Sequence, residues 1–564
     1  MKILLIQPPA RDFYQTSIRT QPIGLAYLAA SLVRHGHDVE ILDCQTERKR
    51  SIPIPSELSY LRDLYPFDDR SPFKLYSGYY HFGMSWDEIR KRIEGSEADV
   101  FGISSSFTPY HGAALETARI VKEWDRGKTV VMGGAHASCD PEGILQSPWV
   151  DYVVLGEGEI RFPSLLEKIE KGHTRGIQEI DGLGYRSNGA IRVNPLRTFV
   201  EDLDGLAHPA RGLLDPDRYR MSKKRSTMII TSRGCPHGCA YCSAHLVMGT
   251  SFRTRSPEAV IGEMVECDKQ YGIEIFDIED DNFTFDQDRA KRLMNLIIET
   301  FGGGKIELSA MNGTSFASLD GELLQLMKRA GFHTINLSYV STDSSTKERM
   351  GRPKPTNEFD KILEEAERFS LNVIAYAILG MPGQSIEEMV DTLIYLMGKK
   401  VLIGPSVYYP VPGTPLFERC RSDGILPPRA SQWRSTALPI ETKEFNRLDL
   451  LTLFRLARVT NFIKAKMDEN ELEEGMTWDE LSKVLREKVK VEVKIKVQEK
   501  DGVAEITWRD LILLISMERS FFGLRKDPGR KISVEKEKSS KKVLDYFLEK
   551  ARERPILKSR LSLV

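Results

Sequence analysis

Three cysteines in one short loop are the residues whose types and spacing most clearly indicate chemistry. They are Cys235, Cys239 and Cys242, in the run Cys-Pro-His-Gly-Cys-Ala-Tyr-Cys that follows an apolar segment at residues 227–231. Thiolates are the soft ligands that iron–sulfur clusters require. Three thiolates on one loop can bind three corners of a cubane and leave the fourth iron free for a small molecule. The sequence therefore predicts a 4Fe–4S cluster with one open iron.

Zinc is the alternative metal for the same loop. Structural zinc sites usually have four protein ligands, and no fourth cysteine lies close to these three in the sequence. His237 or His245 would have to complete such a site. Gly234 and Gly238 allow the backbone to turn tightly around either kind of metal centre.

The spacing of the cysteines, with an aromatic residue before the last one, resembles the radical S-adenosylmethionine (SAM) superfamily. In that family the open iron binds SAM, and an electron from the cluster cleaves SAM to methionine and a 5′-deoxyadenosyl radical that abstracts hydrogen. The resemblance implies that Tyr241 packs beside the cofactor. It continues through Asp-Asp-Asn-Phe-Thr at 280–284, Leu-Gly-Met-Pro-Gly at 379–383 and Pro-Gly-Thr-Pro at 412–415. The further SAM-binding residues that it implies are Asp280, Asp281, Ser338 and Gly380.

One departure from that family follows the fourth predicted barrel strand. Related enzymes often carry Glu or Gln there, whereas this chain reads Leu-Ser-Tyr-Val-Ser at 337–341, so that Val340 occupies the acidic position. Contacts from this strand to the ribose and methionine of SAM therefore depend on Ser338.

A second resemblance covers the first 170 residues, which are similar to the cobalamin-binding domain found ahead of many radical SAM cores. The matching runs are Gln-Pro-Pro at 7–9, Pro-Ile-Gly-Leu-Ala-Tyr-Leu-Ala at 22–29, Gly-Ile-Ser at 102–104, Gly-Gly-Ala-His at 133–136 and Gly-Glu-Gly-Glu at 156–159. The resemblance implies that small residues let the corrin and its nucleotide tail approach the backbone. The cobalamin-binding residues that it implies are Pro9, Ser105, Ser106, Thr108, Gly133, Gly134, His136, Gly156 and Glu157.

Two alternatives remain for this N-terminal part. A dinucleotide site would need a glycine-rich turn after the first strand, and the sequence has Gln-Pro-Pro there. The domain would also fit a vestigial role in packing or substrate binding, with His111 and His136 as ordinary loop histidines. The chain lacks the Asp-x-His-x-x-Gly motif that supplies a lower cobalt ligand in cobalamin mutases, so the lower ligand stays open.

The elements that must position these residues follow an α/β pattern. Short apolar runs at 2–6, 39–43, 100–104, 129–132 and 152–155 alternate with helical patterns, which predicts a doubly wound, Rossmann-like parallel sheet with a ligand at the carboxyl ends of its strands. A second series at 227–231, 273–277, 305–310, 334–338, 373–379 and 405–410 predicts a partial TIM-type barrel of about six strand–helix units. The long aromatic insertion at 60–86 is expected to be functional.

The predicted domains are a cobalamin-binding domain at 1–170, a connector at 171–225, a radical SAM partial barrel at 226–428, and a small α+β domain at 429–564 that contributes to substrate specificity. In the last of these, residues 448–465 predict an amphipathic helix. Alternating valines and isoleucine from Val489 to Val497, followed by residues 503–508, predict a hairpin. The basic segment at 519–542 is expected to be solvated surface.

Composition limits the functional classes. Lys plus Arg (80) nearly balances Asp plus Glu (81) in 564 residues, so no stable nucleic-acid partner is expected. No run approaches the roughly 18 apolar residues of a membrane span, and we expect a cytoplasmic protein that is not integral to the membrane. Seven cysteines, three of them in one loop, fit metal binding in a reducing compartment.

The two resemblances together predict a cobalamin-dependent radical SAM enzyme, foremost a methyltransferase that acts on an unactivated carbon. Ring closure, rearrangement or carbon–carbon coupling by a similar enzyme is the first alternative. A non-catalytic cluster- or cobalamin-binding sensor is the second. Methylthiolation would need three further N-terminal cysteines, and only Cys44 and Cys139 are present. The predicted partners are an electron donor such as ferredoxin or flavodoxin and a lipid, peptide or small-metabolite substrate, and no catalytic side chain is named.

Overall fold

A seven-stranded sheet with helices on both faces forms the N-terminal part of the protein. This computed structural model describes residues 1–14, 21–45, 48–172, 174–352, 356–488, 506–526 and 532–561. The strands of this part are β1 (Lys2–Gln7), β2 (Ala10–Asp12), β3 (Asp38–Asp43), β4 (Lys49–Ile52), β5 (Tyr79–Phe82), β6 (Val100–Ser104), β7 (Thr129–Gly133), β8 (Tyr152–Val154), β9 (Leu183–Ser187) and β10 (Ala190–Val193). The helices are α1 (Ile23–Arg34), α2 (Trp86–Glu94), α3 (His111–Trp124), α4 (Ala135–Cys139), α5 (Pro141–Leu145) and α6 (Gly158–Glu170).

The sheet order is β10-β9-β8-β7-β6-β1-β3, and the strands from β8 to β3 pair in parallel. Side chains of α1 and α6 pack on one face, and those of α2 and α3 pack on the other. The predicted doubly wound sheet is therefore confirmed. Its strand order reverses between β1 and β6, which is where ligands bind to open α/β sheets.

The segment predicted as a connector contains a hairpin that extends this sheet. Strands β9 and β10 pair antiparallel, and β9 also pairs antiparallel with β8, the outermost of the parallel strands. Asn188 and Gly189 form the turn with positive φ angles of 50° and 77°, which is the backbone that an Asn-Gly hairpin turn requires. The Asn-Gly pair is thus a local sequence signal for this hairpin.

The central part is a partial barrel. Its strands are β11 (Arg220–Met221), β12 (Lys224–Ile229), β13 (Ser232–Arg233), β14 (Arg253–Thr254), β15 (Ile275–Ile278), β16 (Glu307–Ser309), β17 (Thr334–Val340), β18 (Asn372–Leu379) and β19 (Leu402–Val407). Its helices are α7 (Ala244–Met248), α8 (Pro257–Tyr271), α9 (Gln287–Phe301), α10 (Gly321–Ala330), α11 (Ser344–Arg349), α12 (Thr356–Arg368), α13 (Ile386–Met397) and α14 (Pro415–Ser422). Strands β12, β15 and β16 pair in parallel, as do β17, β18 and β19. Parallel bridges from Leu308 to Phe332 and from Thr314 to Leu337 join the two groups, and the six-strand architecture is confirmed.

The aromatic insertion packs on the barrel. Strands β2, β5 and β4 form a small antiparallel sheet, while Leu58, Leu61 and Phe73 join the core of the barrel and not that of the N-terminal sheet. The hydroxyl of Tyr65 donates to the carbonyl of Thr436 at 2.6 Å. The insertion therefore brings N-terminal side chains to the wall of the barrel.

The C-terminal part closes the barrel edge. It contains α15 (Arg447–Asp468), α16 (Trp478–Lys488), α17 (Trp508–Glu518), β20 (Phe522–Lys526), β21 (Ile532–Lys536) and α18 (Lys541–Ala551). The side-chain amide of Asn461 accepts from Ile403 N and donates to Ile403 O at 2.9 and 2.7 Å. These two bonds satisfy backbone groups of the edge strand β19, which no further strand covers within the described residues.

Two C-terminal predictions differ from the structure. Trp508, predicted as a strand end, begins α17, because Thr507 and Asp510 form a capping box, while residues 489–505 of the predicted hairpin lie outside the described residues. The basic segment at 519–542 contains the hairpin of β20 and β21. Its Arg525 is largely buried and pairs with Asp69 and Glu537, so this segment is not simply solvated surface. No helix in the described ranges is long and apolar enough to cross a bilayer.

Candidate active site between the cysteine loop and the N-terminal sheet

The cysteine loop is held at both ends by a short antiparallel pair. Strand β13 precedes it and β14 follows, with Arg233 opposite Arg253. Gly234 opens the loop with a φ of +84°, and a Cβ there would lie 2.2 Å from the carbonyl oxygen of Ser251. Both observations require glycine at this position.

The three thiols lie in a shielded environment. Cys235 and Cys239 are 8% and 3% exposed, and Cys242 is partly buried. Burial, with the nearby Cys239 as a smaller cause, raises the pKa of Cys235 and raises that of Cys242 to about 11.

A residue that the sequence analysis missed reaches this loop from the end of α11. The Nε of Arg352 donates to the Sγ of Cys239 at 3.1 Å, and Ala240 N donates to Met350 O at 3.4 Å. Arg352 also lies beside Tyr241, whose pKa burial raises to about 12. Arg352 is 113 residues from Cys239 in the chain and belongs to none of the motifs described above, so no local signal identifies it.

Asp280 and Asp281 differ in their surroundings. Asp280 is buried and accepts from Thr231 N, Thr231 Oγ1 and Ser232 Oγ at 2.5–2.6 Å. Its carboxylate therefore fixes the strand that leads into the cysteine loop. Asp281 is exposed and receives a hydrogen bond from the backbone of Gly234.

The predicted SAM-binding residues on the later strands also differ in their surroundings. Ser338 lines a cavity of about 510 Å³ inside the barrel, together with Tyr241. Gly380 does not line that cavity, because it packs against α15, where a Cβ would meet Leu450 at 2.9 Å. Val340 stands at a bulge of β17 with a φ of +72°, so the departure from the family sequence coincides with strained backbone.

A second cleft, of about 360 Å³, lies at the reversal point of the N-terminal sheet. Seven of the nine predicted cobalamin-binding residues line it, namely Pro9, Ser105, Ser106, Gly133, Gly134, Gly156 and Glu157. Thr108 and His136 do not, because they are buried behind the cleft, where Thr108 Oγ1 and His136 Nδ1 hydrogen-bond to each other at 3.1 Å. The barrel side of the cleft contributes Met228, Ile230, Arg233, Val247, Met248 and Glu279.

The sheet side of this cleft fits a large ligand close to the backbone. A Cβ on Gly133 would meet only Val154 O, at 3.5 Å, and one on Gly24 would meet nothing within 4 Å, so larger residues at either position would extend into the space. The buried Ser105 Oγ has no hydrogen-bond partner in the structure. Buried hydroxyls normally have partners, and a polar ligand in the cleft would supply one.

Glu157, which lines the cleft, also holds the strands of the cysteine loop. Its side chain is fully buried and accepts from Arg233, Arg253 and Val200 N at 2.7–3.0 Å. Arg233 also pairs with Glu159 at 2.7 Å. The carboxylates after β8 therefore bind the strands that flank the cysteine loop, and they join the two parts of the site.

The cavity and the cleft are connected through one side-chain pair. Asn312 lines the cavity and Glu279 lines the cleft, and Asn312 Nδ2 donates to Glu279 Oε2 at 2.7 Å. Burial, and then the neighbouring Asp277, raises the pKa of Glu279 to about 7. A titratable group thus lies between the two spaces.

Comparison with protein families agrees with this arrangement. A model of the radical SAM superfamily matches residues 229–396, and a model of the B12 binding domain matches residues 77–166. The chain belongs to the radical SAM superfamily, in the branch with an N-terminal cobalamin-binding domain.

Individual relatives of this radical SAM protein cover most of its length. It is 29% identical over 476 residues to an uncharacterized methyltransferase of Pyrococcus horikoshii, covering 83% of this chain and 94% of the relative. It is 27% identical to a cytidylyl-2-hydroxyethylphosphonate methyltransferase of Streptomyces wedmorensis, over 77% and 84%. Its fold matches that of the radical SAM methyltransferase TsrM from Kitasatospora setae, solved with cobalamin and a [4Fe-4S] cluster, with a TM-score of 0.57, 18% identity and 75% of each chain covered.

Proposed function

We propose that this protein is a cobalamin-dependent radical SAM methyltransferase that acts on an unactivated carbon. One observation carries the proposal: Tyr241 of the cysteine loop and Asn312 line the same cavity, and Asn312 is hydrogen-bonded to Glu279 of the N-terminal cleft. A substrate in the cavity would therefore lie between the two cofactor sites. When bound, the cluster with SAM supplies a hydrogen-abstracting radical, and cobalamin supplies the methyl group.

In this proposal Cys235, Cys239 and Cys242 hold the cluster, and Tyr241 and Ser338 contact SAM from the cavity wall. Asp280 acts as a support for the loop, since its carboxylate is fully engaged by Thr231 and Ser232. The chain contributes placement of the reactants and exclusion of water.

Cobalamin is proposed to lie against the glycine-rich strand ends of the N-terminal sheet. Pro9, Ser105, Ser106, Gly133 and Gly134 are the contacts that we assign there, and Gly156 borders the same cleft. Thr108, His136 and Glu157 are assigned indirect roles, because the first two lie behind the cleft and the third is paired with arginines.

We also propose the domain boundaries, the cellular compartment and the electron donor that go with this activity. The cobalamin-binding part extends from residue 1 to about 170, the radical SAM barrel from 226 to 428, and the C-terminal part contributes to substrate choice. A cluster with exposed iron requires a reducing compartment, so we assign the protein to the cytoplasm with a ferredoxin- or flavodoxin-type electron donor.

Anaerobic reconstitution tests the proposal. Protein loaded with iron, sulfide and hydroxocobalamin, which carries no methyl group, is reduced with dithionite and incubated with methyl-deuterated SAM and a metabolite extract of the source cells. We expect 5′-deoxyadenosine and a product that carries the deuterated methyl group. Cys239→Ala should abolish both, whereas Cys420→Ala, a buried cysteine outside the loop, should retain both.

The outcomes separate the alternatives. Formation of 5′-deoxyadenosine with an unlabelled product would favour ring closure, rearrangement or coupling. Bound cluster and cobalamin without 5′-deoxyadenosine, in the presence of the extract, would favour the sensor. Protein that holds tetrahedral zinc in the cysteine loop would exclude the radical chemistry altogether.

A further inference from the structure

The cleft at the reversal point of the N-terminal sheet continues inward between helices α1 and α6. Leu25 of α1, Phe162 of α6 and Val131 of β7 line the cleft and also belong to the apolar core on this face of the sheet. A Cβ on Gly102 would meet Phe162 at 3.2 Å, so this glycine lies against the same core. We call this inner part of the cleft the inner slot, and its residues are Leu25, Leu28, Gly102, Val131, Val154 and Phe162.

The inner slot offers no hydrogen-bonding side chain, because its residues are one glycine and five with hydrocarbon side chains. The backbone of Gly102, Val131 and Val154 is paired with neighbouring strands of the sheet. The serines of the cleft, at 104–106, follow at the end of β6 and beyond it. Within the described residues, a group in the inner slot therefore meets apolar surface, whereas polar partners lie at the mouth of the cleft.

Two polar side chains on α1 and α6 are directed to the barrel instead. Glu159 pairs with Arg233 at 2.7 Å, and its side chain is only 9% exposed. The Arg233 guanidinium also lies 5.2 Å from the ring centroid of Tyr27, and Tyr27 lies beside Glu263 and Arg255 of the barrel. Neither side chain supplies a polar partner inside the inner slot.

We propose that the inner slot takes the base of the cobalamin nucleotide tail and selects 5,6-dimethylbenzimidazole, the base of cobalamin, over adenine, the base of the related corrinoid pseudocobalamin. This inference rests on the proposed function and specifies which corrinoid the N-terminal cleft accepts. The Oγ of Ser105, which has no hydrogen-bond partner among the described residues, remains available at the mouth of the cleft for a polar part of the same ligand.

The two bases are of similar size and differ mainly in polarity. Adenine has an amino group and additional ring nitrogens where dimethylbenzimidazole has methyl groups and ring carbons. In the inner slot the polar groups of adenine would lose their hydrogen bonds to water without gaining others, which is unfavourable. The methyl groups would instead contact leucine, valine and phenylalanine side chains as they leave water.

Three corrinoids that differ in their tails test the proposal. The full-length protein, anaerobically reconstituted with its cluster, is dialysed to equilibrium against hydroxocobalamin, hydroxo-pseudocobalamin or cobinamide, which has no nucleotide. Dissociation constants are obtained from the corrin absorbance. We expect cobalamin to bind at least about tenfold more tightly than pseudocobalamin, and also more tightly than cobinamide. Equal or tighter binding of pseudocobalamin would overturn the selection, and equal binding of cobinamide would show that the slot does not take the base.

Variants on strand β8 locate the base. Val154→Thr places a hydroxyl in the inner slot and should reduce the preference for cobalamin over pseudocobalamin. Val153→Thr is the matched control, because Val153 is buried on the opposite face of the same strand, and it should keep the wild-type preference. Leu28→Gln, with the exposed Val33→Gln of the same helix as its control, serves if Val154→Thr does not fold. An unchanged preference in the folded slot variant would overturn the assignment of the base to this slot.

Tyr27→Phe supplies a further check, because the Tyr27 hydroxyl has no hydrogen-bond partner among the described residues. Both corrinoids should bind this variant with the wild-type preference. Weaker binding of pseudocobalamin alone would identify the hydroxyl as a partner for adenine and would contradict the proposal.

The same titrations separate this inference from the proposed function. If the three corrinoids bind equally, the selection is wrong and the cobalamin-dependent chemistry stands. If none of them binds while the iron and sulfide content is normal, the cobalamin dependence of the proposed function fails, and this inference fails with it.

Discussion

Arg352 places its Nε 3.1 Å from the Sγ of Cys239, and hydrogen bonds to ligand sulfur raise cluster reduction potentials. A hydrogen bond to a charged group is worth about 1.5 kcal/mol, which for a one-electron couple corresponds to roughly 60 mV. Arg352→Gln removes the positive charge, so we expect the potential to fall by about this amount. EPR-monitored redox titration of the reconstituted cluster measures it.

Two further variants control for general effects near the cluster. Arg352→Lys keeps the charge and should shift the potential less. Arg349→Gln removes the last arginine of α11, just before Arg352, whose guanidinium contacts Thr346 and Gly383, and it should leave the potential unchanged. Equal potentials in wild type and Arg352→Gln would show that this side chain does not tune the cluster.

The raised pKa of Glu279 predicts how the stability of the folded protein depends on pH. Burial and the neighbouring Asp277 raise its pKa in the folded protein to about 7 from an ordinary value of 4.5. Between these two pH values the folded state binds more protons than the unfolded state, so stability falls as the pH rises. Glu279→Gln should flatten this part of the stability profile and be relatively more stable at pH 8.

Urea unfolding at pH 5, 6, 7 and 8 measures the effect. Glu274→Gln removes an exposed carboxylate just before the same strand and is expected to follow the wild-type profile. A wild-type profile that rises from pH 5 to 7, with no change of slope in Glu279→Gln, would contradict the assignment.

At the scale of elements, the connection between β8 and the β13–β14 pair depends on one buried carboxylate. Glu157 is fully buried and pairs with Arg233 and Arg253. Removing one partner of a buried ion pair leaves an uncompensated charge and costs about 3–5 kcal/mol, so Glu157→Gln should lower the free energy of unfolding by an amount in this range. Glu116→Gln breaks a partly exposed pair on α3 and should cost less than about 1 kcal/mol.

The sequence predicted the elements better than the links between them. Parallel strands were recognised because their apolar runs alternate with helical patterns, and β6 matches its predicted bounds. The pairing of Glu157 with Arg233 joins residues 76 positions apart, so no local pattern in the sequence indicates it. The hairpin at Asn188 is a local feature that its Asn-Gly turn indicates. It was missing from the prediction because residues 171–225 were predicted to be a connector.

The difference between local sequence signals and contacts of distant residues also explains which site residues could be predicted. Cysteine spacing and glycine-rich strand ends are local signals, and the structure brings these residues to adjacent spaces. His136 belongs to one of these motifs and Thr108 closely follows another, yet both lie behind the cleft, where they hydrogen-bond to each other. Motifs therefore predicted which loops and strand ends form the site, whereas the direction of each side chain can be determined only from the packed structure.

At the scale of the whole molecule, the two cofactor sites share a boundary but are built from different strands, so they should be separable by mutation. Gly133→Val adds a side chain where a Cβ has open space on the cleft side, so it should abolish cobalamin binding, measured by absorbance after gel filtration, while iron and sulfide content stay at wild-type levels. Gly112→Val on the exposed start of α3, where a Cβ would meet nothing within 4 Å, should bind cobalamin normally. Loss of both cofactors in Gly133→Val, with an unchanged melting temperature, would mean instead that the cluster loop depends on an occupied cleft, because the barrel residues Arg233 and Glu279 line that cleft.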